Sequence, residues 1–254
     1  MGHIVIITGG TAGIGLACAR RLIDDGGTVV ISGRSAERGR KAVAELAAGD
    51  RARYIPADVT DPHQVTSLVE ETVDEYRRID VLINNAGGVT DDGTAVADCS
   101  DDALDRAFTL NVNSAFWACR AALKHMLPRG YGRIINMSSI AGKTGAAGLV
   151  GYTTTKHALI GFTKTLAKEV TTRGVTVNAL CPGITDTDMI PRELHGAIVG
   201  SGADFGAAAT YYTGDLGRMV NPTEVAALVS VLASPDAGAT SGTAISIDGG
   251  FTQF

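Results

Sequence analysis

Two kinds of hydrophobic pattern alternate along the chain. Short runs of consecutive apolar residues, such as Ile4–Ile7 and Val29–Ile31, are typical of strands buried on both faces of a sheet. Between these runs, apolar residues recur every third or fourth position, which is typical of helices with one buried face. The predicted strands are Ile4–Ile7, Thr28–Ser32, Ala52–Ala57, Ile79–Ile83, Gly132–Met137, Thr176–Leu180 and Ala244–Ile247. The predicted helices include Ala36–Ala48, Thr60–Arg77, Ser100–Met126 and Tyr152–Thr171.

This alternation predicts an α/β fold with a parallel sheet and helices on both faces. Right-handed crossovers and the turn after the first strand predict a Rossmann-type, doubly wound strand order of 3-2-1-4-5-6-7. The 254 residues suffice for one such domain, so residues 1–254 are predicted to form a single dinucleotide-binding and catalytic unit. Residues 188–213 are polar, rich in Gly and Ala and weakly periodic, which predicts a substrate lid.

A glycine-rich turn separates the first strand from the first helix. Glycines let the backbone approach a ligand closely, and the free N–H groups at the start of a helix attract an anion. Taken alone, an ordinary glycine-rich turn has the same composition, but the position between strand and helix favours a phosphate-binding site. The residues predicted to contact the cofactor here are Gly9, Thr11, Ala12, Gly13, Ile14 and Gly15.

The end of the second strand bears on the type of dinucleotide. NAD-binding versions of this unit have an acidic residue there that holds the adenine ribose, whereas this chain has Gly33 followed by Arg34. A guanidinium matches a 2′-phosphate in charge and in the fork of its donors. Arg34 therefore favours NADP over NAD, the alternative being a solvated surface arginine.

Tyr152 and Lys156 are four residues apart, so on a helix they lie on one face. An ammonium close to a phenol stabilises the phenolate, and a phenol with a lowered pKa can donate or accept a proton near neutral pH. The spacing alone also fits a tyrosine that packs on the stem of a lysine. Ser138 and Ser139 follow a predicted strand shortly before this helix, and a serine there could join the pair.

Two further polar features lie at or near predicted strand ends. Asn84–Gly88 follows the fourth strand, where small residues leave room for a flat ligand, although an ordinary Asn/Gly turn looks the same. Asn111 interrupts the apolar stripe of the predicted helix Ser100–Met126. It either bonds the helix backbone locally or marks a bend that frees a backbone carbonyl to hold water.

Composition limits the partners. The net charge is −5 with no basic block, which argues against nucleic acid and against an anionic membrane surface. No apolar run approaches the length of a membrane span, and the amino terminus has no signal-peptide pattern. The four cysteines have no metal-ligand spacing and are predicted to be reduced, in a cytoplasmic protein without a metal site.

Together these motifs resemble those of the short-chain dehydrogenases/reductases. The matching elements, in order, are TGxxxGxG at Thr8–Gly15, NNAG at Asn84–Gly87, Asn111, Ser139, YxxxK at Tyr152–Lys156 and PGxxxT at Pro182–Thr187. Within the family, the chain is most similar to β-ketoacyl carrier-protein reductases and to ketoreductases of aromatic polyketide pathways. Ala141–Gly145 and Tyr152–Lys164 look similar to the polyketide enzymes.

The resemblance implies a role for each matching residue. Ser139 would hydrogen-bond the substrate carbonyl, Tyr152 would transfer the proton, and Lys156 would bind the nicotinamide ribose and favour the Tyr152 phenolate. Asn111 would hold a water that links Lys156 to solvent, and Ser138 would be a structural serine. The remaining cofactor contacts would come from Asp58, Val59, Asn85, Ala86, Gly87, Pro182, Gly183, Thr185 and Thr187.

The expected activity is an NADP(H)-dependent carbonyl reductase or alcohol dehydrogenase that acts on a small molecule, either free or bound to a carrier as a thioester. An NAD-dependent alcohol dehydrogenase and a non-catalytic dinucleotide-binding regulator are the alternatives. The family resemblance also implies a homotetramer in which the helices Ser100–Met126 and Tyr152–Thr171 pair across a two-fold axis. His157 is predicted to be structural, and His195, within the lid, to be solvated.

Overall fold

The computed structural model describes residues 2–91, 93–188 and 216–252. Within these residues, seven parallel strands form one sheet in the order β3-β2-β1-β4-β5-β6-β7, which confirms the predicted Rossmann-type topology. The strands are β1 (Ile4–Thr8), β2 (Thr28–Gly33), β3 (Ala52–Pro56), β4 (Val81–Asn84), β5 (Gly132–Met137), β6 (Val175–Pro182) and β7 (Ala244–Ile247). The predicted lid, from residue 189 onward, and His195 lie outside the described residues.

Helices cover both faces of the sheet, as the doubly wound prediction requires. The described helices are α1 (Gly13–Asp24), α2 (Ala36–Leu46), α3 (Pro62–Tyr76), α4 (Asp101–Phe108), α5 (Ser114–Arg129), α6 (Val150–Val170) and α7 (Pro222–Ala233). One hydrophobic cluster joins the sheet to α1, α2 and α7. A second cluster joins the opposite face to α3, α5 and α6. Burial of strand residues on both faces explains the continuous apolar runs in the sequence.

The predicted long helix over Ser100–Met126 is present as a continuous helical stretch, but it is not α-helical throughout. Ser100 does cap a helix, since its side chain accepts a hydrogen bond from the Ala103 amide at 3.3 Å. However, a π-helical turn at Thr109–Asn113 separates α4 from α5, and Asn111 lies within that turn. Such turns interrupt the regular α-helical hydrogen bonds and often occur at functional sites. An apolar periodicity cannot reveal this interruption because the buried face continues across it.

The sheet brings the motifs together at the carboxyl ends of its strands. The strand order reverses between β1 and β4, which pair directly, so the loops that follow them are neighbours. The Asn85 side-chain amide donates to the carbonyls of Thr8 and Gly9 at 3.1 and 3.0 Å and joins these loops. Ligands bind at such a switch point in open α/β sheets because the diverging loops leave a crevice.

Candidate active site

The glycine-rich turn after β1 has the backbone geometry of a phosphate cradle. Gly9 and Gly13 have φ angles of +66° and +52°, which side chains other than glycine rarely adopt. A Cβ atom on Gly15 would lie 2.4 Å from the Gly9 carbonyl oxygen, so this position admits only glycine without a shift of the backbone. Ala12, at the start of α1, provides no side-chain cap, and the first turn of α1 has no acidic residue. The N–H groups there suit an anion, so these residues fit a dinucleotide pyrophosphate.

Thr8 connects this turn to the loop after β4. Its hydroxyl oxygen accepts hydrogen bonds from the amides of Asn85 and Ala86, both at 3.1 Å. Together with the Asn85 side chain, these bonds fix the loop Asn85–Gly88 against the glycine-rich turn. Thr8 belongs to the TGxxxGxG motif, but the sequence pattern gives no sign that its side chain reaches across to β4.

Ser139, Tyr152 and Lys156 converge beside this loop. Ser139 follows the end of β5, and its side chain lies close enough to the phenol of Tyr152 on α6 to lower the Tyr152 pKa. The Lys156 ammonium lies 5.5 Å from the centroid of the Tyr152 ring and donates to the Met137 carbonyl at 2.8 Å. A serine hydroxyl, a phenol and an ammonium thus form one polar cluster at the edge of the sheet, with Lys156 only 4% exposed.

Burial affects the pKa values of both titratable groups in this cluster. It lowers the pKa of Lys156 to about 8, and it raises the pKa of Tyr152, while the Ser139 side chain acts in the opposite direction. Burial is therefore the larger effect on the Tyr152 pKa in the chain without a cofactor, and the expected stabilisation of the phenolate by Lys156 stays a prediction. Removing the phenol from water disfavours the phenolate more strongly than the neighbouring groups of the chain stabilise it.

Asn111 holds the loop after β4 from the other side. Its side chain accepts a hydrogen bond from the Gly88 amide at 2.9 Å and donates to the carbonyls of Gly88 and Ala107 at 3.1 and 3.2 Å. A Cβ atom on Gly87 would lie 2.7 Å from the Asn111 side-chain oxygen and 3.3 Å from the Lys156 nitrogen. Gly87 therefore packs directly between two of the predicted catalytic residues. The bond to Ala107 is the local helix-backbone bond that the sequence left open, and the water that Asn111 would hold stays a prediction.

Ser138 ties the end of β5 to α6. Its hydroxyl donates to the backbone carbonyl of Lys156 at 2.9 Å. A Cβ atom on Gly142 would lie 2.5 Å from this hydroxyl and 2.8 Å from the same carbonyl, so the loop after β5 packs tightly against the bond. Because this bond holds the Lys156 backbone, the contact agrees with the structural role that the resemblance implies for Ser138.

Arg34 follows β2 and Asp58 lies just after β3, the neighbouring strand of the sheet. Arg34 is exposed, and its positive charge contributes to a lowered pKa of Asp58, although hydrogen bonds from Thr60 contribute more. The Thr60 amide and hydroxyl donate to the Asp58 carboxylate at 2.9 and 2.7 Å. Val59, next to Asp58, is 7% exposed. Gly33, at the end of β2, packs near Thr11 of the glycine-rich turn, so Arg34 follows directly after a residue of that crevice.

The segment Pro182–Thr187 completes the rim of the crevice. Gly183 donates its amide to the Ile247 carbonyl at 2.9 Å, and Thr185 forms an isolated bridge with Val220. The methyl group of Thr187 would lie 3.1 Å from a Cβ atom on Gly13. The PGxxxT motif therefore packs against the glycine-rich turn, so Thr187 lies beside Gly13, another of the predicted cofactor contacts.

The described residues hold neither a metal site nor a membrane-spanning helix. Across residues 2–91, 93–188 and 216–252, no three His, Cys, Asp or Glu side chains come together as metal ligands. Over the same ranges, the helices are too short or too polar to cross a lipid bilayer. The four cysteines are all free thiols, and three of them are buried.

Comparison with known proteins identifies the family. Residues 3–196 match the family model described as short chain dehydrogenase. The chain belongs to the short-chain dehydrogenase/reductase family. It is therefore an oxidoreductase that acts on CH–OH or C=O groups, and membership implies a nicotinamide cofactor.

Relatives within the short-chain dehydrogenases/reductases include several reductases. The chain is 36% identical over 249 residues to a 3-oxoacyl-acyl-carrier-protein reductase of Vibrio harveyi, with 98% of this chain and 97% of the relative covered. It is also 36% identical over 268 residues to a 3beta-hydroxysteroid dehydrogenase of Mediterraneibacter gnavus, covering 99% and 95%. A crystal structure of an actinorhodin polyketide ketoreductase variant with NADPH has a TM-score of 0.90 and 35% identity, covering 100% of this chain and 98% of that chain.

The site also contains a residue that sequence reasoning missed. Asp91 accepts hydrogen bonds from the amides of Gly151 and Tyr152, both at 2.8 Å. No spacing rule connects an aspartate after β4 with a helix 60 residues later. A hint was the absence of a Ser, Thr, Asp or Asn immediately before α6, since a long helix without its own cap must be capped from elsewhere.

Proposed function

We propose that this short-chain dehydrogenase/reductase is an NADP(H)-dependent ketoreductase with Ser139, Tyr152, Lys156 and Asn111 as its catalytic residues. The proposal rests on one observation, the convergence of the Ser139 hydroxyl, the Tyr152 phenol and the Lys156 ammonium beside the loop Asn85–Gly88. NADPH, when bound, supplies the hydride that reduces the substrate carbonyl.

The chain's own residues manage the proton and the developing charge. Ser139 donates a hydrogen bond to the substrate carbonyl oxygen, and Tyr152 gives its proton to the same oxygen. The raised pKa of Tyr152 keeps the phenol protonated at neutral pH, which suits a general acid in the reductive direction. Lys156 then donates a proton that restores the Tyr152 phenol. Asn111 holds the loop Asn85–Gly88 in place and binds a water that connects Lys156 to solvent.

Replacing Tyr152 by Phe tests this proposal. The variant keeps the ring but lacks the transferable proton, so NADPH oxidation by a ketone should fall by about 10²- to 10⁴-fold. NADPH affinity, measured by fluorescence titration, should change less than about threefold because the ring still packs against Lys156. A Tyr152→Phe variant with near-normal turnover would refute the catalytic assignment. A wild-type protein that reduces no ketone would favour the alternative of a non-catalytic, dinucleotide-binding regulator.

The substrate is proposed to be a ketone that is either free or attached to a carrier as a thioester. The named activities of the relatives, on acyl-carrier-protein esters, on a steroid and on a polyketide, support this class. Initial rates of NADPH oxidation with an acetoacetyl thioester, a steroid ketone and a bicyclic ketone would rank the three. A chain that reduced only simple aldehydes would contradict the proposal.

NADP rather than NAD is proposed because Arg34 lies exposed at the end of β2, where an acidic residue would hold an NAD ribose. The NADPH in the related ketoreductase crystal supports the same choice. Replacing Arg34 by Ala should weaken NADPH binding by about tenfold or more, the value of one charge-assisted bond, and leave NADH binding unchanged. Equal weakening of both cofactors would defeat the role of Arg34 at the 2′-phosphate.

The protein is proposed to assemble as a homotetramer. The support is an apolar groove on α5 and α6 in which Phe116 is 44% exposed and packs on Phe162 at a ring distance of 5.9 Å. Large exposed aromatic side chains of this kind are typical of association surfaces. The cytoplasmic location stays a prediction.

A further inference from the structure

The amino terminus of α6 is capped by a residue from a distant loop. Leu149, immediately before the helix, provides no side-chain hydrogen bond to it. The first amides of a helix have no partner within the helix, and a buried amide without a partner is costly. Here Asp91, in the loop after β4, supplies the missing acceptors.

The contact is bidentate. One carboxylate oxygen of Asp91 accepts from the Gly151 amide at 2.8 Å, and the other accepts from the Tyr152 amide at 2.8 Å. A negative charge at the start of a helix is favoured by the helix dipole, and hydrogen bonds to a carboxylate are stronger than neutral ones. A Cβ atom on Gly151 would lie 3.0 Å from the Asp91 oxygen and 3.0 Å from the Ala107 Cβ, so glycine permits the close approach.

Two further side chains fix the start of the same loop, one from the π-helical turn and one from the loop itself. Asn111 binds both the amide and the carbonyl of Gly88, three residues before Asp91. Asn85 anchors the loop to the glycine-rich turn. A short segment held at both ends therefore connects the crevice proposed for the cofactor to the peptide N–H of Tyr152.

We propose that Asp91 is a positioning residue that fixes the Tyr152 hydroxyl relative to the loop Asn85–Gly88. The inference rests on the proposed function of Tyr152 as the proton donor. Asp91 bonds the backbone of Tyr152 rather than its hydroxyl. It therefore affects catalysis by setting the distance and direction between the Tyr152 hydroxyl and the substrate oxygen that receives the proton. Small displacements matter, because a shift of about 1 Å in a reacting group can reduce turnover by about 10²-fold.

The test compares Asp91→Ala and Asp91→Asn with Ser100→Ala. Ser100 caps the neighbouring helix α4 and lies outside the cluster, so its loss shows the structural cost of losing a cap. Asp91→Ala should lower kcat for ketone reduction by about tenfold to a hundredfold, while the ketone KM and the NADPH Kd change less than about twofold. The solvent deuterium isotope effect on kcat should rise, since proton transfer becomes slower.

Asp91→Asn should give an intermediate kcat, because one of the two accepting oxygens is replaced by an NH2 group, which cannot accept from the N–H that it meets. Ser100→Ala should show a smaller loss of Tm, since it removes one neutral hydrogen bond, and an unchanged kcat. The proposal is overturned if Asp91→Ala loses no more kcat than Ser100→Ala, or if kcat and NADPH affinity fall together. If Asp91→Ala does not fold, Asp91→Asn decides by the same criteria. Failure of the proposed function is distinct, since it would appear as an active Tyr152→Phe variant.

Discussion

Burial of the Lys156 ammonium is unfavourable for the folded chain, but it leaves a charged hydrogen-bond donor at the site. The ammonium is almost fully buried, and its described partner is the Met137 carbonyl. A cation in this position loses most of its hydration, and this loss lowers its pKa to about 8. An ammonium bonded to one backbone carbonyl still has donors left for a ribose or a water. Sequence spacing predicted that Lys156 lies near Tyr152 but not the direction in which burial would move the two pKa values.

The pH dependence of the reaction follows from this pKa. Lys156 is protonated below about pH 8 and loses its proton above it, whereas Tyr152, with its raised pKa, stays protonated. The kcat/KM for NADPH, which reports the free enzyme, should therefore fall as the pH rises through about 8. Lys156→Arg keeps its charge, so its profile should lack this decline even if the rate is lower.

Values of kcat/KM for NADPH, measured between pH 6 and pH 10 at saturating ketone for both proteins, would check this expectation. A wild-type profile that stays flat to pH 10 would contradict the assignment, as would an Arg variant with the same decline.

Individual elements were predictable where their signals are local. The strands were predicted from short apolar runs, and the glycine-rich turn was predicted from its place between β1 and α1. Asn111 marked where the helix between α4 and α5 is irregular, but the sequence did not show that its side chain bonds Gly88 in another loop. The cap of α6 by Asp91 was missed for the same reason.

The glycine-rich turn gives an element-scale prediction. In Gly15→Ala the new Cβ would lie 2.4 Å from the Gly9 oxygen and 2.6 Å from the Asn85 side-chain nitrogen. Relieving this overlap costs about 1 to 3 kcal/mol, so NADPH affinity should fall by about tenfold or more. Isothermal titration calorimetry would measure the NADPH Kd of the variant and of the wild type.

Gly161→Ala is the matched control, because a Cβ atom there meets no neighbour within 4 Å. It should leave NADPH affinity unchanged and add some helix stability. Equal NADPH affinities for the two alanine variants would show that the turn does not contact the cofactor.

At the scale of the whole molecule, the two ends of the parallel strands differ. The Ser139, Tyr152 and Lys156 cluster lies at the carboxyl ends of the strands, whereas the buried carboxylate of Asp80 lies at their amino ends. Asp80 accepts from the Ile4 amide at 2.8 Å and pairs with Arg78 and Arg129 at 3.0 and 2.8 Å. This network joins β1, β4 and the end of α5 away from the site. Removing one partner of such a buried network is costly, so it secures the ends of the strands.

The apolar groove on α5 and α6 gives a prediction for the assembly. Phe116→Glu places a charge at its exposed rim, so a tetramer that buries this face should dissociate. Sedimentation velocity should then give a mass below four times the 26.1 kDa chain mass. Val96→Glu is the control, since Val96 is 71% exposed but lies outside the groove. A wild-type protein that sediments as a single chain would contradict the tetramer.

The sequence by itself determined the topology, the family and the spacing of the principal motifs. These follow from local patterns, since apolar periodicity, glycine placement and the YxxxK spacing act over a few residues. Only the tertiary structure decided which distant groups meet, such as Asp91 with the Tyr152 amide and Asn111 with Gly88. It also decided the pKa directions of Tyr152 and Lys156, because burial depends on how the whole chain packs around a residue.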